Sequence, residues 1–321
     1  MSALQRTFVI AALGVLTAPL GVAVAALSGI GHRWSDILAQ FTAPALAAAI
    51  GLLVLLGLAR MRIPAGVAAV IVLLLLIAIW PQWSPSRGRA EPGAPMVTLY
   101  SANLWARNED AEAIKGSIAE ADADIVVLIE LGDAPAGRLD DILAGYPHRV
   151  TTPRIDRPGG PARSLIASRY PLTEIADRAD GLHAVGAVAR TPLGPLNVIG
   201  VHLTRPWPFQ YQWGQITQVV ALAGVVEDLT GPVVVTGDFN AVSSARIGRQ
   251  VRDEIGLIPA TGWPGTWPSA LPSAVGLTID QVYRSPDLAL LDRRLGRPTG
   301  SDHRPVVTRF TRAAAPPRSG A

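Results

Sequence analysis

Ser301-Asp302-His303 and Gly237-Asp238-Phe239-Asn240 place carboxylates, an imidazole and an amide directly beside apolar runs. VVVTGDFN climbs from Val233 to Asn240, and SDHRPVV descends from Ser301 to Val307. Polar groups clustered where buried strands end are costly unless they hold a metal, a proton or a charged ligand. Two carboxylates, an amide and an imidazole suit a hard divalent cation and a phosphate ester. The pattern recurs at Asn103 in LYSANLW, Glu130 in VVLIELGD, His202 in VIGVHLT and Asp280 in LTIDQVY. Taken singly, each has an ordinary reading as a turn residue, a solvated strand end, a satisfied buried histidine or a cap. Taken jointly, so many polar residues at the ends of hydrophobic strands point to one shared pocket.

The elements that must carry these residues alternate along the chain from Met96 onward. Val97–Tyr100, Ile125–Ile129, Leu165–Ala167, Ala184–Ala189, Leu196–Val201, Val233–Thr236, Ile279–Tyr283 and Val306–Phe310 read as strands. Glu109–Ala121 reads as a helix capped by Asn108, Gln210–Leu229 as a second, and Asp238–Val251 contains a third. Strands interleaved with helices predict a layered α/β sandwich.

The first quarter of the chain is different. Phe8–Ile30, Phe41–Ala59 and Ile63–Trp80 carry no charged side chain. About 20 apolar residues cross a bilayer core as a helix, so these segments predict three transmembrane helices within residues 1–83. Trp34, Trp80 and Trp83 fall at the ends of these spans, where indole rings favour the interface. Arg60 and Arg62 separate the second and third spans, and Arg6 precedes the first. The positive-inside rule then sets the amino terminus inside and the remaining chain on the outer face of the cell membrane. Residues 84–95, rich in Pro, Gly, Arg and Ser, read as a linker to a domain over 96–312, with 313–321 a disordered tail. The chain has no cysteine, which excludes disulfides, zinc-thiolate sites and thiol nucleophiles. The net charge of +3 is modest and spread out, which does not argue for a nucleic-acid stripe.

The order Asn103, Glu130, SRYPL (168–172), His202-Leu203, GDFNA (237–241), Ile279-Asp280 and SDHRP (301–305) resembles the endonuclease/exonuclease/phosphatase superfamily over about Met96–Phe310. RSLIASRYPL (163–172) and Thr266-Trp267-Pro268 are further elements of that likeness. The resemblance implies a four-layer α/β sandwich of two packed β-sheets flanked by helices. It implies a Mg²⁺- or Mn²⁺-dependent phosphoric ester hydrolase. Glu130 would be the principal metal ligand, with Asn103 nearby and Asp302 helping through the metal or its waters. His303 would face the scissile phosphate, oriented by Asp280 or Asp302. Asp238 would position or deprotonate the attacking water, and which of Asp238 and His303 is the base stays open. Asn240 and His202 would donate to phosphate oxygens, and Arg163 and Trp207 are further candidates for substrate contact.

Departures from the superfamily's nuclease pattern bear on substrate. Thr151–Pro161 lacks an aromatic, and no basic, aromatic-studded insertion is present to grip a duplex. The loop Thr204–Trp213 holds Trp207, Phe209, Tyr211 and Trp213, a set that suits either a packed helix start or an apolar rim at a bilayer. Three spans followed by this domain resemble the VanJ-like membrane proteins linked to teicoplanin resistance, which implies a polyprenyl (pyro)phosphate substrate. The leading expectation is a membrane-anchored hydrolase of a phosphorylated lipid. An extracytoplasmic nuclease is the alternative. A catalytically dead binding module is disfavoured, because every expected acidic and imidazole position is filled.

Overall fold

The structure is a computed structural model, described over residues 3–152, 163–175, 181–206 and 212–315. Four helices come first: α1 (Ala3–Leu27), α2 (Arg33–Gln40), α3 (Thr42–Leu58) and α4 (Arg62–Trp83). Helices α1 and α4 are each long and apolar enough to cross a membrane. The second expected span differs from the expectation: α3 is a 17-residue helix that meets α2 at a 60° bend. Counting that bent pair as one broken span brings the number to three. Small side chains let the helices approach closely: Ala23, Ala49 and Ala68 are fully buried among them. Large apolar side chains such as Phe8, Ile10, Leu55, Leu58 and Ile63 point outward and are exposed. An apolar surface on this scale suits a lipid solvent and is costly in water.

The remaining chain builds two six-stranded sheets. The first contains β1 (Met96–Asn103), β2 (Ile125–Leu131), β3 (His148–Thr151), β4 (Arg163–Ser168), β11 (Leu288–Leu295) and β12 (Val306–Arg312). Its order is β11-β12-β1-β2-β4-β3. The second contains β5 (Leu172–Glu174), β6 (Ala184–Thr191), β7 (Gly194–His202), β8 (Val233–Asp238), β9 (Ile258–Pro259) and β10 (Asp280–Arg284), in the order β5-β6-β7-β8-β10-β9. Both sheets are mixed: β1 with β2 and β7 with β8 run parallel, and the other pairs run antiparallel.

Side chains alternate across a strand, so each sheet has two apolar faces to bury. Val97, Leu99, Ile125, Val127 and Ile129 meet Val185, Ala187, Val198, Val234 and Val282 between the sheets. The opposite face of the first sheet packs Tyr100, Val126 and Leu128 on α5 (Ala111–Ala121), through Ile114 and Ile118. The short helices α6 (Asp133–Ala136) and α7 (Leu139–Ile142) complete that layer. The opposite face of the second sheet packs Ile199, Val201, Val233 and Val235 against α8 (Gln212–Glu227) and α9 (Arg246–Ile255), through Val219, Leu222, Ile247 and Val251. The result is the expected α/β sandwich of two packed sheets flanked by helices.

Several local expectations shift. The α5 cap is Asp110, whose carboxylate accepts the Ala113 N–H at 2.9 Å. Asn108 instead donates to the Thr299 carbonyl at 2.8 Å and accepts the Asp110 N–H at 3.1 Å. Helix α9 begins only at Arg246, because residues 239–245 form an irregular loop. Residues 84–95 are bonded to both sheets: Arg284 of β10 donates to the Ser86 carbonyl at 2.7 Å, and Leu290 of β11 donates to that of Arg87 at 2.7 Å. Ala90 bridges Ala313, and Ala314 donates to the Arg89 carbonyl, so the chain stays fixed past Arg312.

Candidate active site

Strand alternation decides where the polar residues point. His202 continues the inward series of Val198, Asp238 that of Val234, and Asp280 that of Val282. The register sets His202 beside Asp238, and Asp238 beside Asp280, across β7, β8 and β10. From the first sheet, Asn103 continues the inward series of Val97 and Leu99. The parallel strands β1, β2, β7 and β8 all deliver their last residues to this same end. Glu130 has the wrong parity for that face, and its backbone corrects this. Its φ is +53°, at an irregularity in the β2–β4 pairing between Leu128 and Leu131. Trp105 and Asn240 also adopt left-handed backbone, at φ +56° and +47°. Such strain persists only where surrounding structure over-determines it. Gly237 is required for a different reason: its φ is +132°, and a Cβ there would stand 2.1 Å from the Val201 carbonyl oxygen.

Glu130 and Asp238 are joined by Asn103, whose amide donates to Glu130 Oε1 at 3.1 Å and to Asp238 Oδ2 at 3.0 Å. The Asn103 Oδ1 accepts the Trp105 N–H at 2.9 Å, so its oxygen is turned to the backbone. His202 Nε2 lies 3.1 Å from Glu130 Oε1 and 3.9 Å from Asp238 Oδ2. Asn240 donates its N–H to Asp238 Oδ1 at 2.7 Å and its side-chain amide to the Leu203 carbonyl at 2.9 Å.

His303 completes the cluster from the loop before β12. Its Nδ1 lies 2.9 Å and 3.1 Å from the two Asp280 oxygens, and its Nε2 lies 3.9 Å from Asp238 Oδ2. Asp302 stands on the outer side, half exposed, with an oxygen 4.0 Å from His303 Nε2. Trp267 Nε1 donates to the other Asp302 oxygen at 3.3 Å. The Thr266 hydroxyl accepts the Asp280 N–H at 3.2 Å, and Arg304 N–H reaches the Thr266 carbonyl at 2.8 Å. Thr266 and Trp267 thereby tie the Asp280 and His303 loops together.

Burial pushes the Asp238 carboxyl up to about 6; Asp280 adds to the rise, and His303 and His202 oppose it. Burial alone would lower His303, yet the charges of Asp280 and Asp238 and the Asp280 hydrogen bond raise it to about 10. Asp280 and Asp238 thereby favour the protonated form of the His303 ring. Two overlapping donor sets could hold a cation: Glu130, His202 and Asp238, and Asp238, Asp280 and His303, with ligand atoms in each within 4.8 Å of one another. An oxygen-rich set containing a carboxylate raised by burial fits a hard divalent ion, because that ion supplies the compensating charge. Asp302 belongs to neither set.

The remaining candidates are not brought together in the same way. Arg163 opens β4 opposite Leu131, next to Glu130 in sequence. Trp207 lies outside the described residues. Gln40, at the end of α2, and Gln82, in the last turn of α4, reach the loop after Asp238 through Val242 and Ser244. Each is a single amide at a helix end, which gives no pattern to find in sequence.

The sequence matches the model of the Endonuclease/Exonuclease/phosphatase family over residues 100–303, more than half of the chain. No curated protein matches it. Among solved structures, an endonuclease/exonuclease/phosphatase from Beutenbergia cavernae aligns with a TM-score of 0.56 at 20% identity, covering 69% of this chain and 73% of that one. A family protein from Bacteroides thetaiotaomicron aligns at 0.54 and 14%, covering 69% and 99%. Humanized TDP2 of D. rerio aligns at 0.52 and 15%, covering 67% and 99%. Similarity at these identities is a likeness of fold.

Proposed function

The chain belongs to the endonuclease/exonuclease/phosphatase family and has phosphoester hydrolase activity, and from this premise we propose that it is a membrane-anchored, divalent-metal-dependent hydrolase of a lipid phosphate, phosphodiester or pyrophosphate. Glu130, Asp238 and His202 would hold Mg²⁺ or Mn²⁺, with Asn103 fixing the two carboxylates and Asp302 acting from the rim. When bound, the ion would supply charge to offset that developing on phosphoryl oxygens. Asp238 accepts the Asn240 N–H through one oxygen and keeps the other toward the cluster, a placement suited to orienting a water. Asp280 holds His303 through Nδ1, which leaves Nε2 directed at the cluster to meet a phosphate oxygen or pass a proton. Asn240 would add a neutral donor for the phosphate, and His202 would do so where it is not bound to the ion.

One observation carries the choice of a lipid. Ala26, Ala39 and Ala78 of the apolar helices form a single buried cluster with Val242, Ala245, Leu277 and Ile279. Val242 follows Asn240 by two residues, and Ile279 adjoins Asp280. The loops bearing the catalytic groups thus rest on the helix ends, where a bilayer would present phosphate headgroups. Arg60 and Arg62 lie at the opposite helix ends, which supports an outer-face domain under the positive-inside rule. The likeness to VanJ-like proteins favours a polyprenyl (pyro)phosphate. The test is hydrolysis of undecaprenyl pyrophosphate, sphingomyelin, phosphoinositides and DNA by the full chain, with Mg²⁺ and with EDTA. Metal-dependent turnover of a lipid is expected, and turnover of DNA with none of any lipid would reverse the assignment to a nuclease.

A further inference from the structure

Residues 239–245, between Asp238 and α9, form no regular secondary structure. Their position must come from side-chain and tertiary contacts, and several of these come from the apolar helices. Gln82, in the last turn of α4, is buried; its Oε1 accepts the Ser244 hydroxyl at 2.8 Å, and its Nε2 donates to the Gly262 carbonyl at 3.2 Å. The Gln82 carbonyl also accepts the Gly262 N–H at 2.7 Å. The same Gly262 carbonyl accepts the Thr278 hydroxyl at 2.6 Å, two residues before Asp280. Gln40, at the end of α2, accepts the Val242 N–H at 2.7 Å.

Gln82 therefore touches both strings that lead to the reacting groups: Ser244 toward Asp238 and Asn240, and Gly262 with Thr278 toward Asp280 and His303. A buried amide with both ends engaged is expensive to leave unpaired, so the contact holds one geometry. Space at the joint is fully used: a Cβ on Gly262 would stand 2.2 Å from Gln82 Cγ.

We propose that Gln82, assisted by Gln40, is a positioning residue, and that the ends of the apolar helices set the active arrangement of the two catalytic loops. The role in turnover rests on the phosphohydrolase reading above; the holding of the loops does not. Gln82→Met preserves the volume and removes both side-chain hydrogen bonds, and Gly262→Ala disturbs the same joint from the domain side. In the full chain in detergent, with bis(p-nitrophenyl) phosphate and Mn²⁺, either variant should lower kcat roughly tenfold and move KM by less than about twofold, as expected for losing one or two hydrogen bonds. Hydrogen exchange of 239–245 and 278–280 should accelerate roughly tenfold, while that of 125–129 stays unchanged. Unchanged exchange in both loops would overturn the proposal. So would faster exchange with full kcat well below the melting temperature, which is the signature of a merely structural contact. A wild-type chain inactive on every phosphoester would defeat the hydrolase reading alone, and exchange would still decide whether the helices hold the loops.

Discussion

Replacing Asp280 by Asn tests the electrostatic core of the site with almost no change of shape. His303 Nδ1 lies 2.9 Å from one Asp280 oxygen, and both residues are buried. Burial pushes the imidazole down, but Asp280 first and Asp238 second hold it up at about 10, against a usual 6.5. At about 1.4 kcal/mol per pH unit, that rise corresponds to on the order of 3–5 kcal/mol of folded-state preference for the protonated ring. The sign follows from a pKa raised on folding. The contribution is complete below about pH 6.5, declines as pH rises, and is lost as pH passes 10. Asp280→Asn should therefore destabilise the EDTA-treated protein by roughly 3 kcal/mol at pH 6.5, with the two proteins converging near pH 10. The His303 ring, assigned in the proton spectrum by comparison with His303→Gln, should titrate far lower in the variant. Hydrolysis of bis(p-nitrophenyl) phosphate should fall by about 10²–10⁴, because the ring loses the partner that fixes its tautomer and orientation. A stability loss independent of pH, or a His303 titration that stays near 10, would refute the pairing as the cause.

Mg²⁺ should raise the melting temperature of the wild-type chain and leave that of Glu130→Ala unmoved, as followed by thermal denaturation with and without EDTA. Asp238→Ala and His303→Ala should each lower turnover by at least about 10³-fold while the circular dichroism spectrum stays that of a folded chain; full activity in either would remove that residue from the mechanism. Since Asp238 is held up at about 6, Mg²⁺ binding below that pH should release a proton, and affinity should fall by about tenfold per pH unit lower. Calorimetry in two buffers of different ionisation enthalpy measures that release directly.

Much of the fold was legible because hydrophobic periodicity is local. The strands VVVTGD and IVVLI and the helix over Ala111–Ala121 stand out as apolar runs or amphipathic stretches. Strand β11, LALLDRRL, was not legible: its pairing with β12 slips between Leu290 and Asp292, and its charged half breaks the alternation. The bend between α2 and α3 falls at Phe41, where the only local signal is Pro44 in the first turn of α3, a position a continuous helix start also tolerates. At the site, residue types at strand ends identified the cluster, but the partners depend on tertiary geometry. That Asn103 would turn its oxygen to Trp105 and its nitrogen to two carboxylates follows from the left-handed backbone at Trp105 and Glu130. Nothing in a linear string discloses that strain, since neither residue is one that favours it.

The stretch between helices and sandwich bears on which substrates the site can meet. Twelve residues, 84–95, could as a free tether span about 40 Å, enough to let the domain sample solvent well away from a bilayer. They are not free: Ser86, Arg87, Arg89, Glu91 and Pro95 are each hydrogen-bonded to the sandwich, through Arg284, Leu290, Ala314, Arg312 and Thr311. Helices α1, α2 and α4 add a second attachment through Arg249 on the Ala26 carbonyl and through Gln40 and Gln82 on the loop after Asp238. Two separate attachments remove the swinging motion that a single tether allows. The candidate catalytic groups are then held close to the helix ends. If those helices span a bilayer, a phosphate carried by a lipid is always near those ends, whereas a polyanion in solution must approach a surface that anionic lipids make repulsive. On the proposed reading, that confinement lowers the reach of the enzyme and matches a substrate delivered by the membrane itself.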